Sequence, residues 1–302
     1  MSVLAITGGT GFVGRRLIDR AVGAGHAVRG LTRRPQPPRD GVTWVEGALD
    51  RPASLAALVE GADAVVHVAG VVNARDRAGF VAGNVTGTAA VIEATEGAGV
   101  RRFVHVSSLS AREPNLSLYG GSKAEGEALV RASGLDWTIV RPPAIYGPGD
   151  TELLEMFRLA KRGVVPLPPP GRMAILHVDD LVALLLTLAT TKATTRAMYD
   201  VDDATPGGFT HVGFAQALGR AVGQRVLPLP LPGWMMRAAA RAARAVQGDR
   251  AKLTPDRVAY FCHPDWTADP ARLPPPMLWR PRIAADDGLA ATARWYRAQG
   301  LL

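Results

Sequence analysis

The chain has 302 residues, 47% of them hydrophobic, and 35 Lys and Arg against 27 Asp and Glu give a formal net charge of +8. That length supports one large core or two smaller ones, and the mild basicity suits solubility and attraction for an anionic ligand. Basic residues gather only in pairs such as Arg33-Arg34 and Arg101-Arg102, which argues against a nucleic-acid surface, and the single cysteine, Cys262, excludes an intrachain disulfide or a cysteine metal cluster and fits a reducing compartment.

The chain enters an apolar run, Val3-Leu4-Ala5-Ile6, with no charged segment and apolar core before it. No signal peptide and a cytoplasmic location are therefore expected. The run leads into Thr7-Gly8-Gly9-Thr10-Gly11-Phe12-Val13-Gly14, and Val13, Leu17, Ile18 and Ala21 then share one helical face. Strand, glycine turn and helix together form a phosphate cradle, because backbone N–H groups can approach a pyrophosphate at the positive end of the helix.

Further apolar runs read as buried parallel strands: Val3–Thr7, Ala27–Thr32, Thr43–Glu46, Ala64–Val68, Phe103–Ser107 and Thr138–Arg141. Helical patterns fall between them at Val13–Gly23, Ser54–Glu60, Val85–Ala98 and Lys123–Ser133. The alternation predicts an α/β fold with a doubly wound parallel sheet. Past Arg141 prolines punctuate the chain, so shorter elements and loops in a smaller lobe are expected. The exception is a helix over His177–Thr190 with Asp179 as its N-cap, followed by a strand at Met198–Val201. The expected division is 1–141 plus 176–201 for the nucleotide domain, and 142–175 plus 202–302 for a discontinuous substrate lobe. The longest apolar stretch, Leu181–Ala189, is too short to span a bilayer, so no stable membrane insertion is expected.

Tyr119 and Lys123 lie four apart at the start of a helix and so share a face. A phenol titrates near ~10, so a neighbouring ammonium is expected to lower it toward use as a base. Ser107 and Ser108 follow a strand, at the end where open α/β sheets bind ligands. Serine, tyrosine and lysine together could move a proton to or from a carbonyl or alcohol oxygen beside a nicotinamide.

These stretches resemble the extended short-chain dehydrogenases/reductases, the NAD(P)-dependent epimerase/dehydratase family that includes dihydroflavonol-reductase-like and 3β-hydroxysteroid-dehydrogenase-like enzymes. The similarity runs through TGGTGFVG, DAVVHVAG (Asp63–Gly70), NVTGT (Asn84–Thr88), VSS (Val106–Ser108), YGGSK (Tyr119–Lys123), RPPAIYGPGD (Arg141–Asp150), LHVDDL (Leu176–Leu181) and GLAATARWYRAQG. It implies a Rossmann domain with Tyr119 as proton donor or acceptor, Lys123 tuning it and binding ribose, and Ser108 at the substrate oxygen, with Ser107 as the fallback. It further implies Gly8, Gly11 and Gly14 at the pyrophosphate, with Phe12 and Val13 between them as cofactor contacts. Ala69 and Gly70 become the cofactor wall, Pro142 the nicotinamide edge, and Asn84 and Asp179 structural residues. It also implies a homodimer through long helices.

An NAD-preferring site of this kind carries Asp or Glu at the end of the second strand. Here Thr32 is followed by Arg33 and Arg34, which suits the 2′-phosphate of NADP(H), with Arg33 as main anchor. Ala48 stands where the family often has Asp near the adenine, leaving Leu49 to cover the ring. No metal ligand set is expected.

Three readings compete. The first is an NADP-dependent oxidoreductase acting on a hydrophobic ketone or secondary alcohol, and the second a sugar-nucleotide epimerase or dehydratase. The third is a protein that keeps the cofactor but has lost its chemistry. The lobe favours the first: Leu167, Met173, Leu229, Leu231, Trp234, Met235 and Met236 are expected to form an apolar wall, with Arg172 the one basic candidate for a diphosphate. Along Trp234–Val246, Arg237, Arg241 and Arg244 share a face, with Trp234, Met235, Ala239, Ala242 and Val246 mostly opposite. That apolar face either touches a membrane surface or lipid-like substrate, or packs on its own domain as a surface helix, the expected arrangement.

Overall fold

The computed structural model describes residues 1–191, 196–248 and 254–302. The first half alternates as expected: β1 (Val3–Thr7), α1 (Phe12–Gly23), β2 (Ala27–Thr32), β3 (Val42–Glu46), α2 (Pro52–Val59) and β4 (Ala64–His67). There follow α3 (Arg77–Val81), one π-helical turn (Ala82–Thr86), α4 (Gly87–Gly97), β5 (Arg102–Val106), α5 (Leu118–Ala132) and β6 (Asp136–Arg141). The expected helix Val85–Ala98 is thus extended backward through the π turn. Asp76 starts it by accepting from the Gly79 N–H at 2.9 Å.

Seven strands form one parallel sheet in the order Ala197–Asp200, β6, β5, β4, β1, β2, β3. Strands β4 and β5 are buried along their whole length, as continuous apolar runs covered on both faces should be. Helix α1 turns Leu17, Ile18 and Ala21 inward, in the i, i+1, i+4 spacing of one apolar stripe. The chain order reverses between β1 and β4, so the carboxyl ends of these neighbours face the crevice where such sheets take ligands.

Two compact units emerge from the contacts. One comprises Met1–Pro142, Asp179–Val201 and Ala271–Trp279; the other comprises Pro143–Val178, Asp202–Pro270 and Arg280–Leu302. Leu176 and His177, expected with the main sheet, instead pair in parallel with Ala144–Tyr146 inside the second unit. Ala271–Trp279, expected in the lobe, joins the first unit, where the Trp279 indole donates to the Asp180 carbonyl at 3.0 Å.

The Asp179 cap also needs correction. The helix runs Val178–Thr190, so Asp179 sits inside its first turn. Its carboxylate instead takes both arms of Arg16 on α1, at 2.9 and 2.6 Å. Nor is the second unit made only of short pieces. Helices His211–Val222, Gly233–Gln247 and Ala285–Ala298 run 12, 15 and 14 residues, because prolines fall at helix boundaries rather than inside them. This unit has its own core, with Phe157 and Tyr296 edge-on at 5.1 Å beside Phe214, Leu218 and Leu289. Among the described residues no helix is long and apolar enough to cross a membrane.

Candidate active site

The glycine turn closes with Gly11 N–H donating to the Gly8 carbonyl at 3.0 Å. Gly8 has φ +71°, and a Cβ there would stand 2.8 Å from the Ala69 nitrogen, while one on Gly14 would run into the Gly8 carbonyl. Only glycine satisfies both positions. Gly11 is the N-cap of α1 and provides no side-chain cap, so the first N–H groups of the helix are left for another acceptor. A cradle this bare of side chains fits a pyrophosphate. Phe12 and Val13 are half-buried at the helix start, and Gly70 is exposed beside half-buried Ala69.

Behind the turn lies a polar chain. Thr7 Oγ1 meets His67 Nδ1 at 2.7 Å, the Ala69 N–H donates to Thr7 Oγ1 at 3.2 Å, and His67 Nε2 meets Thr88 Oγ1 at 3.1 Å. Burial, with the nearby charge of Lys123, pushes His67 down to about 3 and His105 well below the ordinary imidazole range. Both rings are neutral at pH 7. They stack with centroids 5.3 Å apart.

Asn84, in the π turn, clamps the loop after β4. Its side chain accepts from the Val71 N–H at 2.7 Å and donates to the Val71 carbonyl and to Ser122 Oγ, both at 2.9 Å. This ties the wall at Ala69-Gly70 to helix α5, a link expected only as a generic structural role for Asn84.

The structure separates the two serines. Ser107 is buried and donates to Glu127 at 2.6 Å; Glu127 in turn holds Arg141 through two bonds of 2.7 and 2.6 Å, with buried Asp200 3.9 Å from the same guanidinium. Its hydroxyl is therefore committed to a buried ion-pair network. Ser108 is only half-buried, caps the short turn Leu109–Arg112, and hydrogen-bonds Tyr119. The Ser110 hydroxyl donates to it at 2.9 Å.

Tyr119 and Lys123 share the inner face near the start of α5, which Ser117 caps by accepting from the Gly120 N–H at 3.0 Å. Phe80 leans on the Tyr119 ring at 6.2 Å. Lys123 is 4% exposed and donates to the Val106 carbonyl at 2.8 Å. Burial pushes its ammonium down to about 8, with Glu127 opposing. The phenol of Tyr119 is raised above its ordinary value by burial, with the Ser108 hydrogen bond opposing. This reverses the expected lowering of the phenol by Lys123. Desolvation outweighs the Ser108 hydrogen bond, so in the free protein the phenol is an acid holding its proton.

At the end of β2, Thr32 Oγ1 donates to the Arg34 carbonyl at 2.6 Å, fixing the turn that leaves Arg33 and Arg34 exposed. A cleft of about 300 Å³ opens beside the glycine turn, lined by Gly9, Thr10, Arg15, Gln36, Arg39 and Trp44 among others. Sequence reasoning passed over Arg15 and Arg39; the signal for Arg15 was a basic residue directly after the third glycine. Leu49 packs against Gly87 and the core beneath α4, and Pro142 is buried with its carbonyl accepting from the Leu109 N–H at 3.0 Å. The expected apolar wall does not assemble as one surface. Leu167 and Met173 belong to the second unit's core, whereas Leu229, Trp234 and Met235 face solvent. Arg172 is occupied by the carbonyls of Gly207 and Gly208.

Comparison with known proteins agrees with this geometry. The model of an NAD(P)H-binding family matches residues 8–161. Ceramide reductase of Caulobacter vibrioides is 39% identical, over 99% of this chain and 96% of its own length. A 3β-hydroxysteroid dehydrogenase/Δ5→4-isomerase of Mycobacterium tuberculosis is 28% identical, over 76% of this chain and 73% of its own. In fold, the chain is similar to MoeE5 in complex with UDP-glucuronic acid and NAD, with a TM-score of 0.76 at 23% identity, covering 99% of this chain and 100% of the other. With a nucleotide cradle at the head of its sheet and named oxidoreductases among its relatives, the chain belongs to the extended short-chain dehydrogenase/reductase family and is an enzyme with a nicotinamide cofactor.

Proposed function

We propose that this enzyme is an NADPH-dependent reductase that converts a ketone on a long-chain, ceramide-like lipid into the secondary alcohol. The observation that carries the chemistry is the Ser108–Tyr119 hydrogen bond on a phenol that burial keeps protonated. The substrate class rests on the 39% identity to ceramide reductase along nearly the full length of both chains.

When bound, the nicotinamide supplies the hydride, and Tyr119 supplies the proton that completes the alcohol. As charge develops on the carbonyl oxygen, the Tyr119 O–H donates to it and Ser108 holds the phenol and the oxygen in line. Lys123 anchors its ammonium on the Val106 carbonyl. Its remaining N–H groups would hold the cofactor's ribose, and its charge would stabilise the phenoxide left after proton transfer. Glu127 is tied to Ser107 and Arg141, so it steadies α5 rather than taking a proton.

Preference for NADPH is supported by the absence of a carboxylate over Thr32–Arg34 and by exposed Arg33 and Arg34, with Arg15 and Arg39 lining the adjoining cleft. Sugar-nucleotide epimerisation is the weaker reading, because Arg172, the basic group expected to meet a diphosphate, is spent on loop carbonyls. The test is a substrate panel with NADPH: a long-chain keto-amide in detergent micelles, short aliphatic ketones, and UDP-glucose. Reduction of the keto-amide with the alcohol found by mass spectrometry is expected. Conversion of UDP-glucose alone would overturn the proposal.

A further inference from the structure

Helix Gly233–Gln247 is held to its own unit by a narrow stripe. Ala240 is fully buried and Met236 and Ala243 are half-buried, at i, i+4 and i+7. Met236 Sδ lies 4.0 Å from Cys262 Sγ, at the end of helix Pro255–Phe261. From Trp234 to Val246 every other side chain is exposed. Trp234 is 65%, Met235 40% and Val246 85% exposed. The apolar face expected to pack inward therefore faces outward.

At 100° per residue, Trp234, Met235, Ala238, Ala242 and Val246 fall on one broad outer arc. Arg237, Arg241 and Arg244 form a row along one border of that arc, and the helix carries no carboxylate. The strand that leads into it adds exposed Leu227 and Leu229. An apolar arc with an arginine border is the pattern of a helix lying in a membrane interface, apolar side among the headgroups and guanidinium groups on lipid phosphates.

We propose that this helix docks the protein on an anionic phospholipid bilayer. Charge complementarity selects the partner. A second copy pairing through this helix would bring the same three arginines and no carboxylate on the helix to receive them, whereas an anionic leaflet neutralises all three. The inference stands apart from the reductase reading, because docking requires neither nucleotide nor ketone.

The test is flotation of the full chain with vesicles of phosphatidylcholine alone and of phosphatidylcholine with 30 mol% phosphatidylglycerol. Binding is expected only to the anionic vesicles and weakens with salt. The triple variant Arg237→Gln, Arg241→Gln, Arg244→Gln should lose on the order of 100-fold in partitioning, since each basic group near such a surface contributes roughly 1 kcal/mol, about fivefold. Trp234→Phe should still float but lose most of the blue shift in tryptophan emission seen on binding. All substitutions are on exposed positions, and unchanged thermal melting verifies the fold. No flotation, equal flotation on neutral vesicles, or undiminished binding by the triple variant would each overturn the proposal. So would a dimer in light scattering that the Trp234 or arginine substitutions dissolve, because the face would then be covered by a second copy.

Discussion

Lys123 offers a perturbation whose size follows from its burial. Its ammonium falls from an ordinary 10.5 to about 8, chiefly because the folded protein removes it from water. That drop corresponds to about 3 kcal/mol, which the charged lysine withdraws from folding stability below pH 8. Lys123 is 4% exposed, so solvent screening does not erode the figure much. Between about pH 8 and 10.5 the unfolded chain keeps the proton while the native lysine sheds it, so the lysine's contribution improves as pH rises. Lys123→Met cannot respond in this way. Urea unfolding of the nucleotide-free wild type and of Lys123→Met at pH 7.0 and 9.5 should show the wild type gaining about 2 kcal/mol relative to the variant, an effect that follows from the same linkage relation. Titrations that the two chains share, Tyr119 among them, cancel in the comparison. The variant should also bind NADPH more weakly at both pH values. A stability difference independent of pH, or one that moves against the wild type, would refute the assignment of a desolvated, titrating lysine.

The serine pair should separate by phenotype. Ser108→Ala should lower turnover and spare nucleotide affinity, costing only about 1 kcal/mol of stability for the lost cap, while Ser107→Ala should cost about 1–3 kcal/mol by leaving buried Glu127 one hydrogen bond short, both read by urea unfolding; equal turnover losses from the two would contradict the geometry. Glu127→Leu removes one partner of the buried Arg141 ion pair and should destabilise by about 3–5 kcal/mol, against a negligible change if the pair were solvated. Arg33→Ala should weaken NADPH by roughly tenfold or more, the worth of one charge-assisted contact, and leave NADH unchanged in calorimetric titration.

Much of the first unit was legible because its signals are local. Val3–Thr7 and Ala64–His67 are continuous apolar runs, and Gly8, Gly11 and Gly14 mark a turn that tolerates no side chain. What escaped the sequence depended on partners distant along the chain. Asp179 looked like a cap until Arg16, 163 residues earlier, claimed its carboxylate. Ser107 and Ser108 are adjacent and chemically alike, and only Glu127 on α5 and the phenol of Tyr119 distinguish them. The phenol itself was expected to be lowered by its neighbouring lysine, but the spacing of Tyr119 and Lys123 carries no information on burial, and burial dominates. Proline density past Arg141 hid the helices His211–Val222 and Ala285–Ala298, because a proline at a boundary and one in an interior look the same in composition, while the spacing along Trp234–Val246 still marked a surface helix.

In the proposed reaction Tyr119 gives its proton to a lipid ketone at an NADPH site. The most direct measurement follows NADPH oxidation and alcohol formation together, with a long-chain keto-amide in micelles, for the wild type and Tyr119→Phe. One alcohol should form per NADPH consumed by the wild type, and kcat should fall by about 10²–10⁴ in the variant with the NADPH Kd unchanged. Tyr119→Phe turning over at the wild-type rate, or NADPH consumed without any lipid alcohol, would contradict it.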